Sequence, residues 1–194
     1  MRLRVVRRYG MLFAEGALQA LRRGMRARLC GKRKEPVLKA MSFAKSVKQS
    51  AVSTLRREAC SCVVCNNGIM RIFRRRGVAD LLALLHDEPD FLRGAFVADR
   101  IVGKGAAAIM AVAGVVEIYA GVASRAALKL LADEGVRVQA GTLTDTVTDR
   151  TGNGICPVER LCAPCRTAAE CLPLIEDFVK TTTAGTQGGA DATA

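Results

Sequence analysis

Cys162 and Cys165 stand as Cys-Ala-Pro-Cys, a spacing that lets two thiolates on one turn share a metal ion. A closed zinc site or an iron–sulfur cluster needs about four thiolates, and Cys156, Cys162, Cys165 and Cys171 form the nearest set of four, with Cys60, Cys62 and Cys65 as further donors. The Cys162–Cys165 pair is also a candidate dithiol. Cys156 precedes Pro157, and proline favours the first position of a helix, so Cys156 is placed as a helix N-cap. A thiol there feels the positive end of the helix, which favours the thiolate. Glu159 follows three residues later, where a carboxylate closes a capping interaction or carries a proton. Cys156 and Glu159 are therefore the candidate catalytic pair, although no histidine partner is visible beside them. The one histidine, His86, lies among leucines, where a partly buried structural role is expected.

The elements that must position these groups follow from periodicity. Phe43, Val47, Val52 and Leu55 mark one helix face ending near Glu58. Two β-prone runs, 61–65 and 69–73, flank Asn66-Asn67-Gly68 and read as a hairpin. Alternation would put Cys60 and Cys62 on one strand face as small core residues. A Leu-rich helix follows over 78–86 and ends at Asp87 to Asp90 with Pro89. The middle alternates: strand 95–98, Ala-rich helix 102–112, strand 115–119, helix 124–131, strand 136–138, and a further strand over 144–149. Alternation of this kind needs crossover connections and predicts an α/β domain with a largely parallel sheet covered by helices. A helix over 167–179 closes the domain through Cys171, Leu174, Ile175 and Phe178, and a disordered tail is expected beyond Lys180.

The formal charge of +12 is unevenly spread. Residues 1–50 hold 14 of the 30 Lys and Arg against only Glu15 and Glu35, so the other 144 residues carry 16 basic and 16 acidic groups. This balance, with 4% aromatic residues, argues against nucleic-acid binding by the folded domain. Arg71, Arg74, Arg75 and Arg76 read as a solvated turn. Residues 1–40 are expected to be a disordered basic leader, with a basic arm for nucleic acid or lipid and an organellar presequence as the competing readings. A chain beginning at Met41 should then melt with the cooperativity of the full chain, a comparison calorimetry makes directly. The longest uncharged apolar run, Gly105 to Val116, is too short to span a membrane. With no secretory signal in view, a reducing cytoplasm is the expected compartment for eight cysteines.

Three segments in order, Asp99-Arg100-Ile101-Val102-Gly103-Lys104-Gly105-Ala106-Ala107, Ser124 heading the next helix, and Cys156-Pro157-Val158-Glu159, resemble the bacterial family of unknown function DUF1893. The resemblance covers roughly residues 50–163 and implies a three-layer, cytidine-deaminase-like mixed sheet with helices on both faces. Working deaminases place His or Cys with Glu at one helix start and Pro-Cys-x-x-Cys at the next, to hold zinc and move protons. The corresponding starts here, 99–104 and 123–126, contain neither His nor Cys. The C-terminal cysteines depart from the family's pattern.

The resemblance also places a pocket at the carboxyl ends of the strands, where helix N-termini offer free N–H groups to an anion. Asp99, Gly103, Lys104 and Ser124 are the candidate ligand-binding residues: Gly103 allows close approach to the backbone, Lys104 adds a charge and Ser124 caps its helix. The alternative is structural, with glycines that allow tight helix packing and a solvated lysine. The expected ligand is small and anionic or nucleotide-like, and Lys104 at a pocket rim should be dispensable for folding. The competing function is a metal-binding or redox module at Cys162 and Cys165, with zinc or iron–sulfur as its cofactor.

Overall fold

The structure is a computed structural model that describes residues 42–75, 77–149 and 151–186. The basic leader lies outside the described residues. Helix α1 (Lys45–Arg57) buries Ala51, Thr54 and Leu55 and stops where the Glu58 N–H closes on Thr54 O at 2.9 Å. Strands β1 (Cys62–Asn66) and β2 (Ile69–Phe73) pair antiparallel, Asn66 opposite Ile69. The turn needs positive φ at both central residues, which Asn67 (49°) and Gly68 (76°) supply. Helices α2 (Ala79–Asp87) and α3 (Pro89–Leu92) follow, the second opened by Pro89.

Strand β3 (Phe96–Val102), helix α4 (Lys104–Val112), strand β4 (Glu117–Ser124), helix α5 (Arg125–Asp133) and strand β5 (Arg137–Thr144) form two crossover units. Short α6 (Pro157–Cys162) and long α7 (Ala168–Thr186) complete the chain. The sheet order is β2-β1-β3-β4-β5, with β1 antiparallel to both neighbours and β3, β4 and β5 parallel. This is a mixed α/β sheet with helices on both faces. On one face α1 covers Val63, Cys65, Phe96 and Ala98. On the other, α4 runs through the core, buried from Lys104 to Met110 and packed against α5, α6 and α7. Val64, Val97, Ile118, Leu131, Cys162, Cys171 and Ile175 close around it.

Several expectations need correction. The expected strands 95–98, 115–119 and 136–138 extend to Val102, Ser124 and Thr144, and the expected strand 144–149 is a loop with one bridge, Thr148 to Ile155. Only the first half of β3 is buried throughout; β4 alternates and β5 is largely exposed, so backbone pairing rather than an apolar run carries these strands to their ends. Cys60 and Cys62 do not share a face: β1 begins only at Cys62, so Cys60 packs under α1 while Cys62 joins the opposite core. His86 is exposed and pairs with Glu176 at 3.1 Å. Helix α7 runs to Thr186, past the point where a disordered tail was expected. Arg71, Arg74 and Arg75 are tied to Glu88, Glu58 and Asp80, with Arg71 also over the Phe91 ring. Among the described residues no helix is long and apolar enough to cross a membrane.

Candidate functional site

The N-terminus of α4 presents free N–H groups at the carboxyl end of β3, as an anion site requires. The anion there is the protein's own. Glu159, in the first turn of α6, is buried, and its Oε2 accepts the Lys104 N–H at 2.5 Å. Both glycines of the segment make room for this docking. A Cβ at position 103 would stand 2.5 Å from Glu159 Oε2, and one at position 105 would overlap Val158 Cγ1. The structure thus brings Gly103, Lys104 and Glu159 together through packing of α6 on α4. Glu159 Oε1 is buried and has no hydrogen-bond partner among the described residues.

Lys104 is only 9% exposed. Its ammonium donates to the carbonyls of Ala163 (3.0 Å), the C-cap of α6, and Cys165 (2.7 Å), in the turn that follows. It is a strut rather than a rim group. Ser124 is fully buried, and its Oγ accepts the Ala127 N–H at 3.1 Å, the capping bond that starts α5. Cys156 is the N-cap of α6, half-buried, and its side chain makes no capping bond.

Asp99 lies apart from this group, opposite Cys62 in the sheet register. Burial pushes its carboxyl up to about 7, against the pull of the Ile101 and Arg100 backbone N–H groups. Burial also pushes the Cys62 thiol well up, and the Asp99 and Asp80 carboxylates add to the rise. Cys62 is therefore an inert core thiol.

The C-terminal cysteines do converge. Cys171 is within hydrogen-bonding reach of both Cys162 and Cys165, and the described cysteines are all free thiols. Burial raises Cys162 and Cys171 alike, with each thiol's neighbours adding to the effect on Cys171. Among the described residues no three His, Cys, Asp or Glu side chains are placed to hold a metal ion.

A surface cleft of about 360 Å³ lies on the other side of Lys104, lined by Lys104, Ala126, Lys129, Leu130, Cys165 and Arg166. It has three basic side chains and no acidic one. Sequence reasoning missed Lys129 and Arg166, because each is an ordinary surface residue until α5 and the α6–α7 turn bring it beside Lys104. Asp99, Gly103, Ser124, Cys156 and Glu159 do not line this cleft.

The family model described as Domain of unknown function (DUF1893), TM1506, matches residues 50–179. Among solved structures, the crystal structure of the DUF1893 family protein TM1506 from Thermotoga maritima superposes with a TM-score of 0.68 at 22% identity. The alignment covers 76% of this chain and 99% of that one, so the two share a fold. No curated protein matches the chain. The family match runs from the middle of α1 through most of α7, well over half of the sequence, and the chain belongs to the DUF1893 family.

Proposed function

We propose that this domain has a cytidine-deaminase-like fold without the zinc deaminase site, and binds a small anionic or nucleotide-like ligand in the cleft beside Lys104. The observation that carries the reading is the donor set of that cleft. An ammonium has three N–H donors, and two of those of Lys104 go to Ala163 and Cys165, which orients the group and leaves one donor over. Arg166 stands beside it, its backbone N–H bound to the Glu170 carboxylate at 2.7 Å while its guanidinium makes no direct ion pair among the described residues, and Lys129 is held by an exposed i,i+4 pair with Asp133. Such a pair contributes at most about 0.5 kcal/mol and yields readily to a better anion.

Inorganic phosphate, dicarboxylates and nucleoside monophosphates, screened by thermal shift, should include at least one that raises Tm. The Lys129→Ala/Arg166→Ala variant should melt like the parent but bind the hit about ten-fold more weakly, about 1.4 kcal/mol. If no anion raises Tm, or the variant binds the hit equally well, the cleft is not the site.

The same reading predicts no release of ammonia from cytidine or adenosine when zinc is supplied. Neither helix start, Gly103-Lys104 nor Ser124-Arg125, offers a ligand to hold a metal-bound hydroxide over a base. Zinc-dependent ammonia release that survives Cys156→Ser and Cys165→Ser would overturn it. A second reading, a metal-binding or redox module at Cys162 and Cys165, draws support on its redox side alone from the convergence of those thiols with Cys171. Metal analysis of anaerobically purified protein, with a free-thiol count, separates the two.

A further inference from the structure

The even charge balance after residue 50 conceals a local separation. Helix α1 carries Lys45, Lys48, Arg56 and Arg57 and no acidic residue, whereas the chain beyond Arg57 holds 14 basic groups against 16 acidic ones. One face of α1, Ala51, Thr54 and Leu55, is buried on the sheet. A stripe flanking that face, Lys45, Lys48, Val52 and Arg56 at helical spacing, lines a second cleft of about 820 Å³ together with Tyr119 of β4 and Gln139 of β5. No Asp or Glu lines this cleft among the described residues.

The basic groups differ in how they are held. Lys48 pairs with Glu117 at 2.8 Å, and Arg56 donates to Tyr119 Oη at 2.9 Å while lying over its ring. Lys45 and Arg57 are exposed and have no carboxylate partner among the described residues. From Lys45 to Arg57 the helix advances about 18 Å, further than one small phosphate ester can bridge. A strand of B-form DNA carries about five phosphates over that length. The occupant is therefore a polymeric anion. The chain's own residues 1–41 are strongly basic and would be repelled.

We infer that the α1–β4–β5 cleft is a docking surface for a single nucleic-acid strand, held through its phosphates without sequence preference. Lys45 and Arg57 contact the strand at the two ends of the cleft, and Arg56, fixed against Tyr119, lies between them. The basic leader and the cleft then act on the same partner, and the role is independent of the Lys104 cleft.

The test uses the full chain and a fluorescent mixed-sequence DNA strand of about 20 nucleotides, titrated across a salt series by anisotropy. Binding should weaken with salt. In Lys45→Glu/Arg57→Glu the slope of log K against log salt should become shallower by about 1.4, for two lost single-strand phosphate contacts. Affinity at low salt should fall at least about ten-fold, and Arg93→Glu, elsewhere on the surface, should match the parent. Circular dichroism confirms that the variants are folded, and Lys45→Gln/Arg57→Gln repeats the test if charge reversal perturbs α1. If the parent does not bind, or the double variants keep its slope and affinity, the cleft has no such role and any binding belongs to the leader.

Discussion

Asp99→Asn should make the domain more stable at pH 8, by as much as about 4 kcal/mol, and leave it little changed near pH 4. In the fold the Asp99 carboxyl titrates near 7, against 3.8 for the exposed group, because it is buried. Between those two values the native state keeps a proton that the unfolded chain has released. The stability linked to that proton is fully present below about pH 3.8 and is lost as pH rises through about 7. A difference of about three pKa units corresponds to about 4 kcal/mol. Asparagine keeps the Oδ1 acceptor that takes the Ile101 N–H at 3.0 Å and removes the titrating proton. Urea unfolding of both proteins at pH 5 and pH 8 measures the effect. An equal stability difference at the two pH values would show that Asp99 is ionised throughout.

Lys104→Ala should cost about 2–3 kcal/mol of folding stability. The residue gives two charge-assisted hydrogen bonds to carbonyls at the C-cap of α6 and in the turn after it, each worth about 1.5–3 kcal/mol before water replaces part of the loss. Lys129→Ala, on the exposed face of α5, should stay within about 0.5 kcal/mol of the parent. Chemical denaturation of the two variants decides the matter. A Lys104→Ala protein as stable as the parent would return Lys104 to the pocket-rim role, dispensable for folding, expected from sequence.

That reversal marks where sequence reading succeeds and where it stops. Elements whose signal is local were legible: Asn67-Gly68 demands its turn, Pro157 places Cys156 before a helix, and the spacing from Val47 to Leu55 gives α1 its end at Glu58. Positions decided by distant partners were not. Nothing near Lys104 in sequence indicates that Ala163 and Cys165 will accept its protons, nor that Glu159 will reach back across the fold to its N–H. The glycines at 103 and 105 were recognised as allowing close approach, but what approaches is α6. Charge counted along the chain likewise hid the basic stripe of α1, because the boundary chosen at residue 50 divides the helix.

The Glu159 carboxylate at the head of α4 is in effect a tethered competitor. Because α6 holds it in place, its effective concentration at the Lys104 N–H exceeds that of any anion free in solution. A metabolite would have to displace an occupant that cannot diffuse away, and would leave a buried carboxylate behind. Self-occupancy of this kind turns a ready-made anion receptor into a latch between two helices. Its natural variants should therefore be selected for how firmly α6 is closed on α4, a closure in which Lys104 takes part through both its backbone N–H and its ammonium.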